Sequence, residues 1–141
     1  MSKPLERPFI MKDIFGIVAR QHELSWQPFR EDVDIHWIYK DGEHGAAAAL
    51  LRFKPGGKVS LHHHVGFEHI IVLSGSQTDQ NGHLPAGSLM IHPPGTSHSI
   101  TSEEGCIVLA IYEKRVSFLE HQPEAPKSSK WKEYSATDER G

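Results

Sequence analysis

Short runs of alternating hydrophobic and polar residues, separated by turn residues, begin at Ser25 and continue through most of the chain. Residues 33–40 follow a period of two with one exception, and the apolar run 46–53 comes after a polar break. This pattern predicts two strands joined by a hairpin turn. Between breaks rich in glycine, proline and asparagine, further strands are predicted at 59–64, 68–73, 89–91, 97–100 and 106–112. Strands this short and evenly spaced favour an all-β sandwich or barrel over βαβ units.

The two ends of the chain differ from this β-rich middle. Apolar residues between Ile10 and Val18 have helical spacing, although Gly16 and the shortness of the run weaken a helix. The C-terminal residues are polar, with several charges and two prolines, so we expect a surface or partly disordered tail. The chain is thus predicted to have an N-terminal extension at 1–24, one domain at 25–120 and a polar C-terminal tail at 121–141.

The predicted strand at 106–112 is apolar on both faces. A strand in a barrel wall buries only one face against the interior, so something else must cover the other face. A second sheet, the N-terminal segment or a second subunit would each do so. We expect a homodimer, because most oligomers of soluble proteins are symmetric assemblies of identical chains.

Composition and charge narrow the possible environments and partners. The chain has 141 residues and a mass of 15.8 kDa, which fits one domain. Its net charge of −3 gives no electrostatic support for a nucleic-acid partner. The single cysteine, Cys106, excludes an intramolecular disulfide and fits a reducing compartment. Because no apolar run is long enough to span a bilayer and the start lacks a signal-peptide hydrophobic region, we expect a cytoplasmic protein without a membrane partner.

Eleven histidines are unusually many for a chain of this length, and most lie in its middle. On a strand, His62 and His64 would share one face and converge on one ion. The strand that returns from Glu68 and the turn before His98 would add a carboxylate and a third imidazole. Three nitrogens and one anionic oxygen suit a divalent transition metal (Fe, Mn, Ni, Co, Cu or Zn) and are too nitrogen-rich for Mg²⁺ or Ca²⁺.

The spacing of these residues resembles the cupin superfamily. Its first motif, G-x5-H-x-H-x3-E-x6-G, begins here at Gly56 and ends at Gly75, and its second, G-x5-P-x-G-x2-H, begins at Gly87 and ends at His98. Two longer segments are similar to the cupin domain of ChrR-type anti-sigma factors. They are LLRFKPGGKVSLHHHVGFEHIIVLSG and LPAGSLMIHPPGTSHSITSEEGC. The resemblance covers roughly residues 26–119. It implies a small antiparallel β-barrel or jelly roll whose interior metal is bound by His62, His64, Glu68 and His98.

One departure from the ChrR-type pattern concerns the sigma factor. Regulators of that type carry a separate N-terminal zinc domain, built on histidine and paired cysteines, that holds the sigma factor. Here the N-terminal segment has only His22 before the β region and no cysteine, so sigma-factor binding by that route is not expected. Stand-alone cupins of the wider group include dioxygenases that cleave carbon–carbon bonds in diketones and hydroxyacetophenones.

Two functions of different classes follow from the resemblance. The first is a mononuclear Fe²⁺-dependent dioxygenase that acts on a small diketone-like or hydroxy-ketone molecule inside the barrel. The alternative is a non-catalytic metal-binding or sensing module related to the ChrR-type regulators, and isomerase or hydrolase chemistry is a third possibility. The identity of the metal, whether Fe, Zn, Ni or Mn, distinguishes a catalytic from a non-catalytic function. Four protein ligands leave open coordination positions on an octahedral ion and none on tetrahedral zinc.

The remaining histidines and the cysteine have plainer interpretations. His63 and His69 alternate away from the predicted ligands, so we expect His63 to be exposed and His69 to face out or toward a partner. His92 is a candidate for the cavity wall, as a donor behind the ligands or an acid–base group. Cys106 is predicted to be a buried, inert thiol. Residues predicted to lie in the core or the cavity lining are Trp37, Phe53, Phe67 and Tyr112.

Overall fold

The structure, a computed structural model, describes residues 5–118. The predicted tail at 121–141 and the last residues of the predicted domain at 25–120 lie outside the described residues. Three consecutive helical turns come first: a 3₁₀ turn at Ile14–Gly16, the α-helix α1 at Ile17–Arg20 and a 3₁₀ turn at Gln21–Glu23. Ten strands follow: β1 Gln27–Arg30, β2 Val33–Lys40, β3 Ala47–Phe53, β4 Gly57–His63, β5 Glu68–Asp79, β6 Gly82–Pro85, β7 Leu89–His92, β8 Ser97–Ser102, β9 Cys106–Tyr112 and β10 Ser117–Phe118.

All strand pairs are antiparallel, and they run in the order β1-β2-β3-β9-β5-β8-β4-β10, with β6 and β7 also paired to β5. The long strand β5 joins the two halves of this sheet. Its first half pairs with β7 and β9, and its second half pairs with β6 and β8. The sheet therefore curls around one interior, which confirms the predicted all-β, cupin-like fold.

The outer face of the sheet is covered in part by the N-terminal segment. Ile17 packs there with Leu50, Leu73 and Ile107 in a second buried cluster, separate from the core inside the barrel. This packing explains why β3 and β9 are apolar on both faces. Farther along the same face, Leu89, Ile91 and Ile111 stay exposed, and the homodimer remains a prediction. None of the helices in residues 5–118 has the length and hydropathy of a membrane span.

Strand β5 is longer than the hydrophobic pattern predicts, because it continues through the polar residues 74–79. The register of β5 with β9 shifts between Val72 and Ser74, and Gly75, which follows, has φ +71 and pairs with Cys106. A Cβ on Gly75 would stand 2.9 Å from the Cys106 Cα and closer still to the Gly105 carbonyl oxygen. Beyond Gly75, the polar residues Ser76 and Gln77 are both buried, at positions where the hydrophobic pattern predicts no strand.

Candidate metal centre

Two of the predicted ligands lie opposite each other on neighbouring strands. His62 of β4 pairs directly with His98 of β8, and their ring centroids are 4.6 Å apart. Directly opposed residues of an antiparallel pair project from the same face of the sheet. A shift of register between Val59 and His62 precedes this pair. The pairing thus brings two imidazoles 36 residues apart in the sequence to one point inside the barrel.

His64 reaches the same point from a loop. Strand β4 ends at His63, one residue earlier than predicted, and the backbone of His64 bonds instead to the loop before β8. Its N–H donates to the Thr96 carbonyl oxygen at 2.8 Å, and the Gly95 N–H donates to the His64 carbonyl oxygen at 2.9 Å. The His64 ring lies 4.8 Å from the His98 ring. The turn at Gly95 and Thr96, which belongs to the second cupin motif, therefore positions His64 of the first motif.

Glu68 supplies the carboxylate from the first residue of β5. Its Oε1 lies 3.2 Å from the His64 Nε2, and both side chains are buried. The potential ligand atoms of His62, His64, Glu68 and His98 all lie within 4.8 Å of one another. The structure therefore brings together all four residues that the sequence predicted as ligands.

Each of the three imidazoles is held from behind through its Nδ1. The acceptors are the Ser60 carbonyl oxygen at 2.9 Å for His62, the Thr96 carbonyl oxygen at 3.0 Å for His64 and the Asp79 Oδ2 at 3.1 Å for His98. Carbonyl and carboxylate oxygens only accept, so Nδ1 carries the proton and Nε2 keeps its lone pair. This is the tautomer that binds a metal through Nε2.

The inner sides of these residues fit a cation. The Nε2 atoms of His64 and His98 and the Oε1 of Glu68 are buried and have no hydrogen-bond partner among the described residues. Each buried polar atom left without a partner costs about 1–3 kcal/mol. One divalent ion bound by all of them would remove these costs together, which no single hydrogen bond can do.

Charge at the site also suits metal binding. Burial, with the neighbouring His98, lowers the pKa of His62 to about 4. Burial raises the pKa of Glu68, but His64 and the other imidazoles lower it more, and the net shift is downward. At neutral pH His62 is therefore neutral and Glu68 is a carboxylate. These are the protonation states that a metal requires of its ligands.

A partly open cavity lies beside the cluster. His62 and Glu68 line it, together with two further polar side chains, Gln77 and Tyr112. The rest of the wall is apolar and consists of Phe29, Leu51, Phe53, Val59, Ile70, Ile100, Val108, Val116 and Phe118. An apolar cleft with a few converging polar groups is the usual form of a site for a small organic molecule.

The other residues singled out in the sequence match expectation to different degrees. His92 is buried behind the ligands, stacked on His64 at 4.4 Å and 4.2 Å from His98, and it is not part of the cavity lining described above. His63 is half-buried rather than exposed, because its Nδ1 contacts the Ser97 Oγ at 3.2 Å. Phe67 is 42% exposed and thus belongs to neither core nor cavity. Cys106 is buried as predicted, and burial raises its pKa to about 11.

Sequence reasoning missed Asp79, whose side chain is only 2% exposed. It precedes a turn, a place where aspartate ordinarily bonds the nearby backbone, and its Oδ1 does accept from the Asn81 N–H at 2.7 Å. The other oxygen accepts from His98. Burial raises the pKa of Asp79, but the bonds from His98 and Asn81 lower it more, so it stays ionised.

We expect Asp79→Asn to weaken metal binding about tenfold, because partners behind ligating histidines are typically worth 10- to 100-fold in affinity. The amide keeps the shape and one acceptor oxygen but loses the charge that supports the His98 imidazole. Competition with a chromophoric chelator measures the affinity. Asp34→Asn is the matched control, since Asp34 pairs with Arg52 at 2.8 Å away from the cluster. Equal affinity in Asp79→Asn and the unmodified protein would contradict the role assigned to Asp79.

Comparison with known proteins places these observations in a family. The model of the ChrR cupin-like domain matches residues 16–115. No curated protein matches the sequence.

Solved structures with the same fold have low sequence identity to the chain. The structure of Rhodobacter sphaeroides SigE in complex with the anti-sigma factor ChrR matches with a TM-score of 0.57 and 23% identity, over 75% of this chain and 69% of that one. An RmlC-like cupin from Ralstonia eutropha matches with a TM-score of 0.64 and 23% identity, over 75% and 74%. A candidate acetylacetone dioxygenase from Methylibium petroleiphilum matches with a TM-score of 0.68 and 13% identity, over 89% and 91%. At these identities the structural likeness shows the fold alone, whereas the family model spans most of the chain: the protein belongs to the ChrR cupin-like domain family.

Proposed function

We propose that the protein is a mononuclear metal-dependent dioxygenase that acts on a small diketone-like or hydroxy-ketone molecule. The observation that carries the proposal is the position of the buried three-imidazole, one-carboxylate cluster at the wall of a mostly apolar cavity. His62, His64, Glu68 and His98 would hold the ion. Bound Fe²⁺ would supply Lewis-acid and one-electron redox chemistry, which the side chains of this site do not provide themselves.

The cluster has one side toward the cavity and one side toward the protein. His62 and Glu68 line the cavity, so a molecule inside it meets these two residues directly. His64 and His98 are almost fully buried, at 0% and 1% exposed. The apolar wall keeps water away from the reacting molecule and strengthens polar interactions within the cavity.

Two aromatic side chains that line the cavity contact each other. Phe29 and Phe118 meet edge to face with ring centroids 6.1 Å apart, and the Arg30 guanidinium lies 3.8 Å from the Phe118 centroid. These rings come from β1 and β10, two strands that lie at opposite ends of the strand order. They add to the apolar wall, which favours molecules with an apolar body.

A regulatory role is the second candidate, because the family model that matches this chain is that of the ChrR cupin-like domain. In that case the site would bind a metal or a small molecule without turnover. The structure with ChrR contains a sigma factor, and that partner belongs to that protein. A single stoichiometric protein partner recovered with the chain would favour this role.

We expect the iron-loaded protein to consume O₂ when acetylacetone or a hydroxyacetophenone is added. An oxygen electrode measures the rate on anaerobically purified protein whose iron content is known. Zinc-loaded protein is the control, because zinc has no redox chemistry but fills the same kind of site. The expected rate with iron is at least about tenfold above the zinc control, a difference of roughly 1.4 kcal/mol in barrier. Stoichiometric iron with no O₂ uptake on either compound would contradict the dioxygenase proposal.

A further inference from the structure

Three side chains lie in one row across the interior face of the sheet. Glu68 of β5 pairs directly with Tyr112 of β9 on one side and with His92 of β7 on the other. The two neighbours of Glu68 have different surroundings. Tyr112 lines the cavity, whereas His92 stacks on His64 behind the ligands. The phenol is therefore the group that stands beside the carboxylate on the side where a small molecule can enter.

The Tyr112 hydroxyl has a proton to donate, and the side chains of the same wall that can accept it are those of His62, Glu68 and Gln77. The residue is only 7% exposed and shares the cavity wall with Leu51 and Val108, which have no acceptor in their side chains. Burial raises the pKa of Tyr112 well above its ordinary value and the charge of Glu68 raises it further, which outweighs the opposite effect of Arg115. Arg115 carries donors only, and its guanidinium is already bonded to the Gly45 carbonyl oxygen at 2.9 Å.

The described wall also defines the chemistry of what it binds. It contains no lysine or arginine, so it offers no fixed positive charge for a carboxylate or a phosphate. Apart from the two ligands, its polar groups are the Tyr112 phenol and the Gln77 amide. A molecule that suits this wall has a hydrocarbon body and uncharged or delocalised oxygen atoms, such as a ketone, an enol or a diketone.

We propose that Tyr112 binds and orients the cavity ligand by donating a hydrogen bond to one oxygen of a small ketone or diketone, beside Glu68. This inference rests on the proposed function for the class of ligand. It adds a residue that neither cupin motif contains. In a dioxygenase the phenol would select substrates that present a second oxygen at this position.

The test uses binding without turnover, by anaerobic isothermal titration of the iron(II)-loaded protein with acetylacetone. Tyr112→Phe removes only the hydroxyl and keeps the ring in the wall. We expect it to weaken acetylacetone binding about tenfold, the upper range for one hydrogen bond between uncharged groups. Tyr39→Phe makes the same chemical change on β2, away from the cavity lining, and should leave the affinity unchanged. Iron content and the thermal midpoint are measured for each variant, so that loss of metal or of fold is recognised.

The outcomes separate this inference from the dioxygenase proposal. Equal affinity in Tyr112→Phe and the unmodified protein would overturn the role of Tyr112 and leave the oxygen-uptake result untouched. If acetylacetone does not bind the unmodified protein, the ligand class is wrong and the inference falls with it. If binding depends on Tyr112 but the iron protein consumes no O₂, the inference stands and the protein is a binding module.

Discussion

Purified His62→Ala protein is expected to contain almost no bound transition metal, whereas the unmodified protein contains close to one ion per chain. The substitution removes a ligand that lies opposite His98 and within reach of Glu68. The loss in affinity should exceed about a hundredfold, because even residues behind the ligands are worth 10- to 100-fold. Elemental analysis of anaerobically purified protein, followed by chelator competition, measures both stoichiometry and affinity.

The neighbouring residue provides the control for this experiment. His63 lies on the same strand but alternates to the other face, where its Nδ1 contacts Ser97. His63→Ala should keep near-normal metal content while removing the same kind of side chain. Normal metal content in His62→Ala, or equal loss in both variants, would contradict the assigned site. The metal found in the unmodified protein also matters, since iron supports the oxygenase and zinc a regulatory or hydrolytic role.

Gly75→Ala should destabilise the fold by about 3 kcal/mol, which is large for one methyl group. The φ of +71 at this position is costly for alanine, and the new Cβ would meet the Gly105 carbonyl oxygen and the Cys106 Cα. The contact could be relieved only if β5 moved away from β9, where Gly75 pairs with Cys106. Urea unfolding of the metal-free protein measures the change in the free energy of unfolding.

Gly87→Ala separates the two contributions to this cost. Gly87 also has positive φ, at +92, but a Cβ there would have open space around it. It should therefore show only the conformational cost, about 1 kcal/mol. Equal destabilisation by both substitutions would mean that the contact between β5 and the turn at Gly105 contributes nothing.

The proposed site combines a rigid inner side with an adaptable outer one. Backbone carbonyl oxygens and Asp79 hold the imidazoles in position before any ion arrives, which lowers the entropic cost of binding it. The cavity wall, by contrast, is mostly apolar, and apart from His62 and Glu68 its polar side chains are those of Tyr112 and Gln77.

The four predicted ligands were within reach of sequence reasoning for a specific reason. Metal coordination requires particular residue types at fixed intervals. The turns between His64 and His98 require glycine and proline, so both the ligands and the turns can be recognised from residue type and spacing. Short apolar or alternating runs between turn residues likewise predicted most strands, including 106–112, which matches β9. Both patterns are local in the sequence, so they can be recognised without knowing which strands pair.

The rest depends on contacts that no local pattern encodes. The part of β5 beyond Gly75 is polar in sequence, yet it is a strand because its backbone pairs with β6 and β8. Asp79 looks like a turn residue and becomes the support of His98 only through that pairing. Tyr112 becomes a cavity residue because β9 lies beside β5, and the outer face of β9 is covered in part by the N-terminal segment rather than by another sheet.

The sequence by itself thus determined the fold class and the identity of the candidate ligands, since residue type and short-range spacing suffice for both. Only the tertiary structure decided what stands behind those ligands, what shares the cavity with them and where His92 lies. These features arise from the register of strands far apart in the chain, and a shift of one residue would turn each side chain to the opposite face.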